Sequence, residues 1–383
     1  MATSRRGILR LMGAGVAAAA TMPCSVLGAS RSAIFEPPRL NLDDGLIRLN
    51  GNENAYGPST KVADAIKSSI GNVNRYPRGQ YDSLTERIAA AHDVKPEQIL
   101  LGCGSTEILR VAAFAFLGVG KQLIQASPTF EAMEHYARAA NSEVISVRLT
   151  PAFSHDLVGM LARATASTTL VYVCNPNNPT ASLTPRKDLE SFIAKLPAST
   201  LVIIDEAYHH YAGQSGNYAS FIDHPLHDER VIVVRTFSKV YGLAGLRLGY
   251  AGAAPKLVQQ MRKFGTENNI NAVVTRAAMA ALNDSDGLNQ SIQRNTDDRQ
   301  EFFNQALARM LKPIDSHANF VMMNAFRPAD EVIQHFRQNK VLIGRPFPPL
   351  DTYIRVSLGL PDEMHAFWRA WDGSPYSKVP MPH

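Results

Sequence analysis

Between about residue 80 and residue 265, short apolar runs alternate with longer amphipathic stretches. Ile99-Leu100-Leu101, Gln122 to Gln125, Val144 to Val147, Thr169 to Cys174, Leu201 to Ile204 and Val231 to Val234 each read as a strand. Glu107 to Leu117, Phe130 to Ala140, His155 to Ala164 and Pro185 to Lys195 carry helical spacing between them. This alternation predicts an α/β fold with a mainly parallel sheet covered by helices on both faces. Ahead of it, Arg31 to Pro58 is irregular and rich in Asn and Pro, and Val62 to Ile70 reads as a short helix.

Beyond residue 265 the pattern changes. Asn271 to Leu282 and Leu288 to Met310 are long helical patterns. Phe320-Val321-Met322, Val341-Leu342-Ile343 and Tyr353 to Ser357 read as strands, with helices over Ala329 to Asn339 and Pro361 to Trp371. The expected organisation is an N-terminal arm (30–65), a large domain (66–270), a smaller α+β C-terminal domain (271–372) and a disordered tail (373–383).

Composition adds bounds rather than direction. A chain of 383 residues, 45% hydrophobic and 19% charged, is ordinary for a globular protein of two domains. A net charge of +5 is weak support for a polyanionic partner, and no zinc-ligand spacing or helix-turn-helix signature follows, so nucleic acid is not an expected partner and no metal is expected. The first 29 residues read as a targeting segment. Arg5-Arg6 opens it, Leu11 to Ala20 is mildly apolar, and Leu27-Gly28-Ala29 offers small residues for cleavage. This resembles a twin-arginine export signal, which implies a bacterial periplasmic protein with no stable membrane span after its removal. The alternatives are a chance arginine pair on a cytoplasmic protein and an uncleaved anchor, although the run is short for a span. Of the three cysteines, Cys24 lies in this segment. Cys103 and Cys174 are expected to be free and mostly buried thiols.

Chemistry concentrates where strands end. Val231 to Val234 leads into Arg235-Thr236-Phe237-Ser238-Lys239, with Arg247 shortly after. A lysine presented among small hydroxyls can form a Schiff base with a carbonyl cofactor, and the hydroxyls and the arginine can hold a phosphate. Gly102-Cys103-Gly104-Ser105-Thr106 follows another strand and opens a helix, which suits an anion. Phe130, beginning a helix, can stack on a flat ring. Asn175-Pro176-Asn177-Asn178-Pro179-Thr180 is a rigid turn, and Asn178 can donate to a phenolic oxygen. Asp205 ends a buried strand, where a carboxylate is costly unless paired. A pyridinium nitrogen would be such a partner, and Tyr208 could reach a phenolate oxygen. Singly, each has a structural explanation: a surface lysine, a core aromatic, a turn, a helix cap. Pyridoxal phosphate would use them all at once.

Asn52 to Pro58, Arg75-Tyr76-Pro77, Asn175 to Thr180, Asp205 to Tyr208, Ser238-Lys239 through Arg247, and Ile354-Arg355-Val356-Ser357-Leu358-Gly359 resemble the histidinol-phosphate aminotransferase family over residues 40 to 372. The resemblance implies a fold-type I pyridoxal-phosphate-dependent transferase with a seven-stranded-type sheet. It implies a homodimer and, as substrates, an amino acid (or related amine) and a 2-oxo acid. It implies Lys239 as the Schiff-base and proton-shuttling lysine, Asp205 as the partner of the pyridine nitrogen, and Tyr208 and Asn178 on the ring oxygen. Phe130 would stack on the ring. Gly104, Ser105, Thr106, Thr236, Ser238 and Arg247 would hold the phosphate, joined by Tyr76 from the neighbouring subunit. Arg355 would grip the substrate's anionic group, with Tyr56 and Arg345 lining the pocket. Ala181 stands where the family's turn motif usually ends in Gly, and Leu360 where a Thr is common. Decarboxylation, elimination, cyclisation or oxidation on the same cofactor stay open, as does a non-catalytic ligand-binding role.

Overall fold

The computed structural model describes residues 45–375 and 377, except 78 and 225–227. The expected export signal lies outside the described residues, as do residues 30–44 of the arm and most of the tail. Strands run over Ile47–Leu49 (β1), Ile99–Gly102 (β2), Gln122–Ser127 (β3), Glu143–Arg148 (β4), Thr168–Cys174 (β5), Leu201–Asp205 (β6), Val231–Thr236 (β7), Gly249–Gly252 (β8), Lys312–Pro313 (β9), Phe320–Asn324 (β10), Val341–Ile343 (β11) and Tyr353–Ser357 (β12).

Seven of them form one sheet in the order β2-β8-β7-β6-β5-β3-β4. Only β8 runs antiparallel to its neighbours, β2 and β7. The sequence pattern misses β8, because Gly249-Tyr250-Ala251-Gly252 has no apolar run to announce it. Its small residues have a reason: a Cβ at Gly249 would run into the backbone of Gly104 and Ser105. Alternation along the central strands divides the core. Val171, Val173, Val202, Ile204, Val231 and Val233 face one layer. Leu170, Tyr172, Ile203, Ile232 and Val234 face the other. Helices Gln80–Ala91, Arg186–Lys195 and Ala272–Leu282 cover the first face, and Ser105–Phe116, Ala132–Ala139 and Pro255–Arg262 the second.

A three-stranded sheet, β12-β10-β9, and a parallel pair, β1-β11, complete the fold. Leu49, Phe302, Val321, Phe336, Ile354, Phe367 and Trp371 share its core. Residues expected to form an irregular arm therefore contribute a strand here, while the short helix Thr60–Ser69 packs Val62 against the large sheet. Val274, Ala277, Ala278 and Ala281 also belong to the large sheet's core. We therefore propose that the boundary between large and small domains lies near Asp284 rather than at residue 270. Among the described residues no helix is long and apolar enough to cross a membrane.

Candidate active site

The carboxyl ends of β2, β5, β6 and β7 meet at one edge of the sheet, where open parallel sheets place their ligands. β5 and β6 end in register, Cys174 beside Asp205, and Asp205 in turn pairs with Val234 of β7. Asp205 is 2% exposed. The Tyr172 hydroxyl donates to its Oδ2 at 2.9 Å and the Ala207 N–H to its Oδ1 at 3.1 Å. Burial pushes this carboxyl up to about 6, with Tyr172 and Ala207 only partly opposing the rise. Among the described residues no cation is paired with it.

Lys239 follows β7 by three residues and is half-buried. Its Nζ donates to the Asn52 carbonyl at 2.7 Å and lies 5.6 Å from the centre of the Tyr208 ring. Burial, and then the Arg355 charge, brings its ammonium down to about 8. The Tyr208 hydroxyl accepts from Asn52 Nδ2 at 3.1 Å, which leaves its own proton available to a further acceptor. Burial raises the Tyr208 hydroxyl well above its ordinary value, so it stays protonated.

The Asn178 turn is fixed by its neighbours. Asn175 exchanges two hydrogen bonds with Thr184, and Asn177 ties to Pro128, Thr129 and Thr180. Ala181 sits in left-handed backbone (φ 58°), which costs an alanine about 1–2 kcal/mol where glycine would cost less. Its methyl is fully buried with Tyr208, Tyr211 and Phe320, so packing uses the side chain that glycine lacks. Arg355 Nη1 donates to Asn178 Oδ1 at 2.6 Å, leaving the Asn178 NH2 group for another acceptor. Arg355 Nη2 donates to the Asn50 carbonyl at 2.8 Å, and Nε has no partner among the described residues. Among the described residues no carboxylate is paired with this buried guanidinium. Burial lowers it to about 10, so it remains charged at neutral pH.

The anion cradle is also assembled. Thr236 Oγ1 accepts from the Ser238 N–H at 3.1 Å, and Arg247 Nη1 donates to Ser238 Oγ at 3.3 Å. Gly104 has φ 78°, and a Cβ there would collide with the Arg247 guanidinium. Ser105 and Thr106 open the helix Ser105–Phe116, whose free N–H groups favour an anion. Phe130 is half-buried against the second core layer. At the rim, the Tyr56 hydroxyl donates to Asp298 at 3.2 Å. Arg345 pairs with Glu131 and lies 4.3 Å from the Phe347 ring, whose other neighbour is Arg355 at 4.8 Å. Tyr76 is 71% exposed, and among the described residues no hydrogen bond or ring contact ties it to this edge. Cys103 is exposed rather than buried, because it sits on the loop whose N–H is held by Glu107 Oε2; Cys174 is buried, and both are free.

A family profile for "Aminotransferase class I and II" matches residues 44–367. The chain belongs to that family. It is 35% identical over 327 residues to the histidinol-phosphate aminotransferase of Moorella thermoacetica, covering 85% of this chain and 84% of that one. The same identity holds to histidinol-phosphate aminotransferase 2 of Pseudomonas aeruginosa, over 85% of this chain and 88% of that relative. The crystal structure of histidinol-phosphate aminotransferase from Sinorhizobium meliloti in complex with pyridoxal-5'-phosphate superposes with a TM-score of 0.82 at 26% identity, covering 91% and 97% of the two chains. The protein is a fold-type I, pyridoxal-phosphate-dependent aminotransferase that moves an amino group between an amino acid and a 2-oxo acid.

Three observations fit this aminotransferase to its cofactor. Asp205 is a buried carboxylate with no paired cation among the described residues, and a protonated ring nitrogen would supply one. Gly104, having no Cβ, lets the Arg247 guanidinium lie directly against the loop. Asn178 and Tyr208 each keep a donor unspent. Sequence reasoning did not single out Asn52, Tyr172, Ser357 or Asn319. Tyr172 had a signal, since a hydroxyl in an otherwise aliphatic strand needs a buried partner. Asn52 and Ser357 lay inside quoted motifs, but nothing in their spacing indicated which polar residue does the bonding.

Proposed function

We propose that the groups at this edge work as one aminotransferase centre, with Lys239 as covalent anchor and proton carrier. The observation that carries the reading is the uncompensated Asp205 carboxylate at the end of β6, with the lysine just beyond the next strand. Bound there, pyridoxal phosphate supplies an aldehyde to take the amino group and an electron-poor ring to receive the electron pair left at Cα.

Asp205 holds a proton on the ring nitrogen, and each charge favours the other. Tyr208 and Asn178 donate to the ring oxygen, and Phe130 covers one ring face. Gly104, Ser105, Thr106, Thr236, Ser238 and Arg247 bind the phosphate. With the cofactor bound, Lys239 would hold its aldehyde and, when free, would carry a proton to and from the substrate Cα; a lysine near 8 is suited to both roles. Arg355 grips the α-carboxylate of the substrate. Its buried, uncompensated charge supports that role. Tyr56 and Arg345 line the side-chain end, so an anionic side chain or phosphate, such as the relatives' names imply for histidinol phosphate, would have to draw Arg345 from Glu131.

We further propose a homodimer in which Tyr76 reaches the phosphate of the neighbouring subunit. Support comes from the exposed apolar strip Ile70, Val73 and Tyr76 on one segment. Residues 1–29 support twin-arginine export to the periplasm. Replacing Arg5 and Arg6 together by Lys should retain the protein in the cytoplasm, as read by cell fractionation.

The central test incubates purified holoprotein with a panel of amino acids and follows its visible absorbance. True donors should bleach the band, and a 2-oxo acid should restore it. Lys239→Ala should abolish multiple turnover. Normal turnover in that variant, or cofactor recovery without a 2-oxo acid, would sink the assignment.

A further inference from the structure

Lys239, Tyr208 and the small-domain strands share one residue: Asn52. It is 2% exposed, and every polar group it carries is used. Its N–H donates to Ser357 Oγ at 2.8 Å, and Ser357 Oγ donates back to its Oδ1 at 3.1 Å. With Oδ1 turned to Ser357, Nδ2 faces Tyr208 Oη at 3.1 Å as a donor. The carbonyl of Asn52 takes Lys239 Nζ at 2.7 Å and Asn319 Nδ2 at 3.1 Å. The backbone here is left-handed, φ 52°, a region Asn tolerates better than most residues. One residue therefore sets both the direction of the Tyr208 hydroxyl and a place for the free lysine amine.

We infer that Asn52 is a positioning residue: its amide aims the Tyr208 proton at the cofactor's ring oxygen, and its carbonyl holds the Lys239 amine whenever that amine is free. The inference rests on the assignment of Tyr208 and Lys239 above. The logic is one of donor accounting. A hydroxyl that already accepts from Asn52 must spend its proton elsewhere, and a chain of hydrogen bonds strengthens each member. When Lys239 is bound to the cofactor, Asn319 still satisfies the Asn52 carbonyl, so nothing buried is left bare.

The test uses the visible absorbance of the holoprotein, titrated with pH. A proton donated to the ring oxygen stabilises its anionic form and lowers the pKa at the linked Lys239 nitrogen. Asn52→Asp turns the donor facing Tyr208 into an acceptor and draws the Tyr208 proton away. The apparent pKa of the band should rise by about one unit or more. Tyr208→Phe should raise it similarly, and Asn52→Asp should then add little in the Tyr208→Phe background. Asn52→Gly keeps the left-handed backbone and the carbonyl, and should give a smaller rise that also vanishes in that background. An unchanged titration in Asn52→Asp or, should that variant not fold, in Asn52→Gly overturns the inference. So does an equal shift with and without Tyr208, which would mean added charge alone. Failure of the underlying assignment looks different: the wild-type band would then survive Lys239→Ala.

Discussion

Asp205 and Glu206 are adjacent carboxylates at the end of one strand, both buried, with opposite surroundings. Glu206 accepts from Arg235 Nε at 3.0 Å, Ser220 Oγ at 2.6 Å and the Phe221 N–H at 2.8 Å. Arg235 also reaches Asp223, at 2.9 Å. Burial alone would push Arg235 down, but Tyr250, Glu206 and Asp223 outweigh it and hold the guanidinium above its ordinary value. Among the described residues Asp205 has one hydroxyl and one N–H as donors and no paired cation. The same contrast separates Arg235 from the buried Arg355, which has no paired carboxylate among the described residues and is held low. Groups that build the fold are compensated within the chain; those proposed to handle the cofactor and substrate are not.

The largest break in this contrast should come from Asp205→Asn. Losing one half of a buried ion pair costs about 3–5 kcal/mol, so kcat should fall by about two to four orders of magnitude. The apoprotein should respond in the opposite sense. Folding raises the Asp205 pKa from 3.8 to about 6, so the folded chain holds this proton more tightly than the unfolded one. Apoprotein stability is therefore lost as pH rises between those values, by at most about 3 kcal/mol. Chemical denaturation at pH 4 and pH 7 should show the Asn variant free of that loss.

Glu206→Gln should do the reverse. It strands part of the Arg235 charge and should cost about 3 kcal/mol of stability. Turnover per folded molecule should change far less than in Asp205→Asn. A kinetic loss as deep as that of Asp205→Asn would erase the distinction. Arg355→Lys comes next: a point charge replaces a planar fork, and KM for the amino acid should rise about tenfold or more with a smaller change in kcat. Tyr172→Phe is the mildest. It removes one neutral donor to Asp205, worth about 1 kcal/mol, and should weaken cofactor binding about fivefold.

Much of this was legible beforehand, and the reasons are physical. β5, β6 and β7 are buried on both faces, so their apolar runs are continuous and their ends fall where polar residues begin. The lysine, the aspartate and the Asn178 turn sit at those ends. Alternation also separates Asp205, on the Ile203 face, from Arg235, on the Val233 face. What the sequence did not reveal depends on distant segments. β8 is made of small residues because the Gly104-Ser105 loop passes over it. Asn52 becomes a hub only when Ser357, 305 positions away, is folded beside it. The helix Ala272–Leu282 reads in sequence as the start of the small domain, and its Val274, Ala277, Ala278 and Ala281 share a core with the large sheet.

The claim that Asp205 is left bare for the cofactor has a direct readout. Holoprotein loaded with pyridoxal phosphate labelled with nitrogen-15 in its ring reports ring protonation through the nitrogen chemical shift. The account predicts a protonated ring nitrogen at pH 8 in the wild type and in Glu206→Gln, and a deprotonated one in Asp205→Asn. The same shift in wild type and Asp205→Asn would contradict it.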